Sequence, residues 1–381
     1  MNDTRTAGLD KSSQRINLLI LASSLWIGGA ETVIRHLAQT IDRRRFNVTV
    51  CHLKQRGYVG DELLRDGVDV IGVTDVPQSK VDYLTFLKLL KIIRARRIQV
   101  IHTHTAHGLV DACLCKLLAP GLRVVHTFHF GNYPHTQRRI MWMERLFSRL
   151  TDRLFAVGDV QRRQLQRTYR FKDTAISTIW NGVAFPTGEA DPSFRARAGA
   201  ENRPLVGTIA TFIEQKGLAD LLTVARLVCD EGHDVRFAIV GDGHLRPMLE
   251  ARRRDLGLDD TVALTGWMTN AADLALPTFD VFFQPSLWEA MSVVILEAMA
   301  AGKAIVATRV GETPNIIEDG VDGLLFDPGD VRGMAAAIGR VTSDATFRHR
   351  LGAAARRKVE QQFTVQHMTD AYERAFLDVL Q

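Results

Sequence analysis

The stretch Gln284–Thr308, QPSLWEAMSVVILEAMAAGKAIVAT, decides how the rest of the chain is read. An apolar run, Val281–Phe283, ends at Gln284-Pro285-Ser286, so a buried strand stops there and a loop begins. Glu289 stands in that loop. Ser292 is placed to cap a helix, VVILEAMAA supplies good helix formers, and Gly302 is a natural terminator. AIVAT reads as the next buried strand. The resulting strand-helix-strand unit opens a helix N-terminus at the loop, where free N–H groups and the positive end of the dipole favour an anion. Two carboxylates flank the opening, Glu289 before the helix and Glu297 about 7.5 Å along its axis from the cap. A negatively charged, hydroxyl-rich ligand held at several points is the expectation.

At 381 residues the chain suits two domains of ordinary size, and 46% hydrophobic with 24% charged residues describes a folded protein. Four cysteines, Cys51, Cys113, Cys115 and Cys229, are too few for a disulfide framework in so long a chain and read as buried thiols in a reducing compartment. No apolar run reaches the roughly 18 residues of a membrane span. Arg5, Lys11 and Arg15 precede INLLILA as in a signal peptide. Ser23, Ser24, Trp26 and Gly28-Gly29 interrupt that run, so it reads as a core strand entering a glycine loop. Charge is uneven: residues 1–185 carry net +13 and the remainder net −8, which points to a partner for the basic half.

Taken in order, INLLILA, FNVTVCHL, the VDVIGV run after Gly67, IQVIHTHTAHG, RVVHTFHF, DRLFAVGD and AISTIWNGV read as strands of a first half, separated by helical patterns such as DYLTFLKLLKIIRARR at 82–97. Residues 184–203 are rich in Pro, Gly and charge. The pattern then restarts with PLVGTIATF, a helix at 218–231, VRFAIVGDG, a helix at 244–256 and TVALTGW. This alternation argues for α/β architecture, two Rossmann-like doubly wound parallel-sheet domains. The expected boundaries are a disordered tail at 1–14, an N-terminal domain at 15–187, a linker at 188–203, a C-terminal domain at 204–363, and a C-terminal helix at 364–381 that packs back on the N-terminal domain. In both halves the unusual residues follow strand carboxyl ends, where open α/β sheets bind ligands.

Several residues offer themselves for chemistry. Gly28 and Gly29, in GGAE, allow a backbone to approach a phosphate or sugar closely, although GGAE is not the dinucleotide fingerprint and no Walker-type lysine follows. His102 and His104 are expected to point apart, and no carboxylate cluster of ligand spacing accompanies them, so no metal site is expected. His129 sits just past a strand end. Lys216, after the first strand of the second half, carries a flexible ammonium able to reach a phosphate. Gly241 opens the loop after FAIV and is equally well a simple turn. The arginine clusters lack interleaved aromatics, so nucleic acid is not expected.

Together these residues resemble the retaining nucleotide-sugar glycosyltransferases of family 4, which have the GT-B fold of two Rossmann-like domains facing a cleft. Glu289 and Glu297 match the family's E-x7-E motif. GGAE, the His102/His104 loop, Thr127-Phe128-His129, Trp180-Asn181-Gly182-Val183, Glu214–Gly217 and Gly320–Asp327 fall in order where members carry similar motifs. The resemblance makes 15–187 the acceptor side and 204–363 the nucleotide-sugar side. It implies that Glu297 bonds the donor ribose, and that Glu289 meets the transferred sugar. The N–H groups of Ser292, Val293 and Val294 would bind its phosphates or sugar. Lys216 would neutralise the diphosphate. Gly28 and Gly29 would close over the donor, with His129 and Glu289 as the catalytic pair, and Gly241 would lie at the donor. The loop at Gly266-Trp267-Met268 would hold the base.

A diphosphate leaving group needs charge stabilisation, which a lysine and a helix N-terminus supply without a metal or other cofactor. Two departures stand out. Thr211 occupies the position where members usually carry an arginine, five residues before Lys216, and Ala290 follows Glu289 where a glycine is common. The expected activity is transfer of a sugar from a UDP- or GDP-sugar to a glycan or lipid-linked acceptor in surface polysaccharide assembly. The expected place is the cytoplasm, on the inner membrane face, with the basic half on an anionic surface. The alternatives are a nucleotide-sugar binding protein weakened by Thr211, and a nucleotide-sugar epimerase of the same architecture.

Overall fold

Apolar runs become strands buried on both faces because helices cover both sides of a parallel sheet. In the computed structural model, which describes residues 15–74, 84–131, 137–186 and 190–381, the strands are β1 Ile16–Ser24, β2 Phe46–Gln55, β3 Asp69–Gly72, β4 Val100–Thr103, β5 Arg123–Phe128, β6 Arg153–Ala156 and β7 Ile176–Thr178, then β8 Leu205–Ile209, β9 Arg236–Val240, β10 Val262–Gly266, β11 Val281–Gln284, β12 Ala304–Thr308 and β13 Leu324–Phe326. They form a seven-stranded sheet in the order β3-β2-β1-β4-β5-β6-β7 and a six-stranded sheet in the order β10-β9-β8-β11-β12-β13. β1 pairs in parallel with β2 and β4, and β8 with β9 and β11. Each sheet therefore reverses its strand order beside its first strand, which creates a topological switch point. The two-domain α/β architecture expected from the sequence is present.

The chain divides into two compact units. One comprises Met1–Phe128, Gln137–Phe155 and Thr369–Gln381; the other comprises His129–Thr136 and Ala156–Met368. The expected disordered tail, 1–14, and residues 187–189 at the start of the linker region lie outside the described residues. From residue 190 that region holds a short helix, Phe194–Arg197, whose Phe194 is fully buried against Phe279 in the second unit.

In the first unit, Leu19, Leu21, Leu89, Ile101, Leu109 and Val124 belong to the core. Cys51, Cys113 and Cys115 are buried there as free thiols, and burial pushes each up to about 12, which keeps them protonated and inert. The helix Val365–Asp378 brings Tyr372 and Phe376 into this unit, with the Tyr372 hydroxyl 3.1 Å from Thr127 Oγ1 and the Phe376 ring 6.0 Å from Phe46. His102 and His104 do not point apart. Their ring centroids lie 4.0 Å from each other, because residues two apart on a strand share a face. His102 Nε2 bonds Thr127 Oγ1 at 2.8 Å, and its ring packs on Tyr372 and Phe376. These histidines belong to a polar cluster of the core; among the described residues no group of three or more His, Cys, Asp or Glu could hold a metal.

Candidate active site

β8 and β11 are neighbours at the switch point of the second sheet, so the loops that leave their carboxyl ends must lie side by side. Gly217 adopts φ +61, ending the 3-10 turn Glu214–Lys216 and starting the helix Leu218–Asp230. A Cβ there would run into the carbonyl oxygen of Pro285, so only glycine permits this approach. The Leu287 N–H donates to the Gln215 carbonyl at 2.7 Å, tying one loop to the other. Lys216 Nζ thereby reaches Glu289 Oε1 at 2.6 Å. Glu289 is only 7% exposed and accepts three further bonds: from Ser286 Oγ at 2.9 Å and Gln284 Nε2 at 3.1 Å on Oε1, and from Gln215 Nε2 at 3.0 Å on Oε2. A carboxylate with so many donors is fixed in place. Lys216 remains partly accessible and has three N–H donors, so it can serve Glu289 and a second anion together.

Ser292 stands at the N-cap of the helix Val293–Ala300, as its sequence position predicts, but its hydroxyl does not cap. It donates instead to Gln284 Oε1 at 3.0 Å, because that amide is turned toward it by its own bond to Glu289. The Ser292 side chain therefore leaves the first N–H groups of the helix without a cap from their own N-cap residue. The helix is apolar nearly all round and almost wholly buried. Val294 and Glu297, three residues apart and so on one face, are its only half-accessible positions among Val293–Ala300. From below, Thr308 Oγ1 donates to the Ser286 carbonyl at 2.5 Å, and the Glu312 N–H to the Ala290 carbonyl at 2.9 Å.

Neighbouring strand ends complete this rim. Gly241, at φ +139, passes so close to Ala210 that a Cβ would strike its carbonyl oxygen, and its N–H donates to the Gly266 carbonyl at 2.9 Å. Beyond Gly266, at the carboxyl end of the edge strand β10, Trp267 is 52% exposed and Met268 half-buried. Thr211 is exposed. The guanidinium of Arg246 stacks over the next residue, Phe212, at 5.2 Å, but is engaged by Asp242 at 2.8 Å and Glu250 at 3.2 Å.

His129 belongs to this second unit, and burial lowers its pKa to about 4, so its imidazole is neutral at physiological pH. Two residues on, Gly131 lies directly on the Glu289-Ala290 turn, where a Cβ would collide with the Ala290 nitrogen. Asn181 is buried, its N–H donating to Met291 Sδ at 3.3 Å and its Oδ1 lacking a hydrogen-bond partner among the described residues. Gly28 and Gly29 belong to the first unit, at the start of the helix Gly29–Thr40; Gly28 is extended there, with the Glu31 carboxyl folded over it.

Sequence reasoning placed Lys216, Glu289, Ser292, Val293, Val294 and Glu297 in one region, and the structure brings them together. It missed Gln215, Gln284, Ser286 and Gly131. A signal for two of them was present, since Gln284 and Ser286 are polar residues at the end of an apolar strand.

Residues 27–185 match the pattern of Glycosyltransferase Family 4, and residues 203–344 match that of the glycosyl transferases group 1. The chain belongs to the family 4 glycosyltransferases. Its fold is GT-B. This glycosyltransferase is 24% identical over 312 residues to an Escherichia coli UDP-Gal:alpha-D-GlcNAc-diphosphoundecaprenol alpha-1,3-galactosyltransferase, covering 78% of this chain and 80% of that protein. It is 35% identical over 170 residues to the lipopolysaccharide core biosynthesis glycosyltransferase LpsE of Rhizobium meliloti, covering 44% of this chain and 48% of the relative. In fold it is similar to HepE of Anabaena, solved in complex with UDP and glucose, with TM-score 0.83 at 20% identity over 96% of this chain and 100% of the other. The apo lipopolysaccharide outer core galactosyltransferase WaaB gives TM-score 0.71 at 16% identity over 95% and 99%.

Proposed function

We propose that this glycosyltransferase moves a sugar, with retention, from a UDP- or GDP-sugar to a glycan or lipid-linked acceptor in surface polysaccharide assembly. The observation that carries the reading is the Lys216–Glu289 pair at the switch point, beside the N-terminus of Val293–Ala300, which the Ser292 hydroxyl does not cap. Lys216 and the N–H groups of Val293 and Val294 meet the diphosphate, whose charge grows as the glycosidic bond breaks. Glu289 accepts from hydroxyls of the transferred sugar, and Glu297, on the accessible face of the helix, from the ribose. Trp267 and Met268 offer an apolar surface to the base, and Gly241 leaves room at the neighbouring strand end. His129, neutral, bonds the sugar, and Gly28 and Gly29 leave a backbone open to the donor. The acceptor attacks the face the diphosphate leaves, with the leaving phosphate as base. HepE with UDP and glucose and the E. coli relative's diphosphoundecaprenol acceptor support these classes.

Thermal unfolding with UDP, GDP and their sugars tests the donor. One nucleotide at a hundred times its Kd is expected to stabilise the fold by about 2.7 kcal/mol. No shift with any nucleotide, and no nucleotide release from any donor, would overturn the reading.

A lipid-linked acceptor requires access to a membrane. Among the described residues no helix is long and apolar enough to cross one. The helix Arg138–Phe147 instead exposes Trp142 and Leu146, four residues apart, to 67% and 59%, beside Arg138, Arg139 and Arg145. It packs against the helix Ala106–Leu118, which exposes Leu117 and Leu118. Apolar side chains amid arginines suit the headgroup region of an anionic leaflet on the cytoplasmic side. The Trp142→Glu/Leu146→Glu variant is expected to lose about tenfold in partitioning onto anionic vesicles at low salt. Partitioning equal to the parent protein would remove the membrane proposal.

A further inference from the structure

Buried carboxylates need partners, and the carboxylate of Glu312, a residue with no exposed surface, has no part in the donor site described above, which this residue meets only through its backbone N–H. Its Oε1 accepts from the backbone N–H of Val160 and, at 3.2 Å, of Gln161; its Oε2 accepts from Asn315 Nδ2 at 2.7 Å. Val160 and Gln161 lie in the first turn of the helix Asp159–Tyr169, whose own N-cap, Gly158, has no side chain to offer. Glu312 therefore caps that helix from a distant part of the chain, with a negative charge at the positive end of the dipole. Gly158 is required for this, because a Cβ there would occupy the place of the Glu312 side chain.

The contact continues toward the sugar site. Gln161 is 2% exposed; its Oε1 accepts from the Val157 N–H at 2.8 Å and its Nε2 donates to the Phe130 carbonyl at 2.7 Å. Phe130 lies between His129 and Gly131, and Gly131 packs on the Glu289-Ala290 turn. The Glu312 N–H closes the ring on the Ala290 carbonyl, and Gly311, at φ +52, fits against the Glu289 carbonyl where a side chain would clash. One residue thus touches both halves of the ring, with its backbone on one side and its carboxylate on the other.

We propose that Glu312 is a positioning residue, which holds the His129–Gly131 segment and the Glu289-Ala290 turn in one fixed arrangement through the capped helix and Gln161. Its catalytic consequence rests on the assignment of His129 and Glu289 to the transferred sugar; the ring itself does not. Hydrogen exchange and steady-state kinetics on Glu312→Ala, Glu312→Gln and Gln161→Ala test the two parts separately. Exchange at the amides of Gly131, Val160 and Gln161 is expected to quicken about tenfold in Glu312→Ala. Gln161→Ala spares the cap and releases the Phe130 carbonyl, next to Gly131, together with the Val157 N–H. In both, kcat falls about tenfold to a hundredfold while the donor KM and the thermal shift with UDP or GDP stay near the parent values. Glu312→Gln keeps an acceptor oxygen, and falls between parent and alanine variant. Unchanged exchange at Gly131 in folded Glu312→Gln and Gln161→Ala overturns the proposal whatever the activity. Quickened exchange with unchanged kcat overturns the catalytic role. A parent protein that releases nucleotide from no donor overturns the functional reading instead, and the exchange data still decide whether Glu312 holds the ring.

Discussion

Replacing Lys216 with alanine is expected to lower kcat/KM about a thousandfold, the upper end of what one donor to a developing anion supplies. Two losses combine. In the proposed reaction the diphosphate loses its ammonium partner, with Thr211 rather than an arginine five residues upstream, and with Arg246 already engaged by Asp242 and Glu250. Glu289 loses the ion pair at 2.6 Å and keeps only the neutral donors Gln215, Gln284 and Ser286. Breaking a buried pair costs several kcal/mol, but the three remaining donors and the partial accessibility of Lys216 reduce this to about 2 kcal/mol. Urea unfolding of Lys216→Ala and of Lys216→Ala/Glu289→Gln separates the effects. The double variant regains stability, because no charge is left unpaired, and it does not regain turnover. Recovery of both, or a single variant within a few-fold of the parent in kcat/KM, would remove Lys216 from the reaction.

Gly131→Ala is expected to have the second largest effect, on turnover rather than on folding. A Cβ at Gly131 meets the Ala290 nitrogen and the Glu289 carbonyl carbon, both backbone atoms that cannot rotate away. One chain segment must shift by about 1 Å, which costs about a hundredfold in kcat when it carries reacting groups. Overpacking at a loop contact of this kind costs only about 1–2 kcal/mol of stability. The checks are kcat with a donor in excess and the urea midpoint. A variant that loses stability without losing kcat would show that the contact serves the fold alone.

The secondary structure of this glycosyltransferase was largely legible. Helices expected at 218–231 and 244–256 occur as Leu218–Asp230 and Arg246–Asp255, and the stretch 284–308 contains the loop, helix and strand read from it. Hydrophobic periodicity reports which face of a segment is buried, and glycine, proline and polar clusters report where a segment ends. Both are local properties, so one sequence suffices for them. His102 and His104 obey the same local logic: residues two apart share a strand face, and their rings lie 4.0 Å apart rather than on opposite faces.

What the sequence by itself determined was the alternation of strands and helices, and hence a set of candidate residues at strand carboxyl ends. Tertiary structure alone decided which of them meet. Lys216 and Glu289 are 73 residues apart, and they touch because β8 and β11 are neighbours in a sheet whose strand order reverses there. Ser292 turns from the helix it precedes to Gln284 because the fold places that amide within reach. Gly131 and Glu312 carry no local pattern that marks them. Their roles exist only once distant turns are pressed together, where a missing Cβ makes room and a buried carboxylate must find donors.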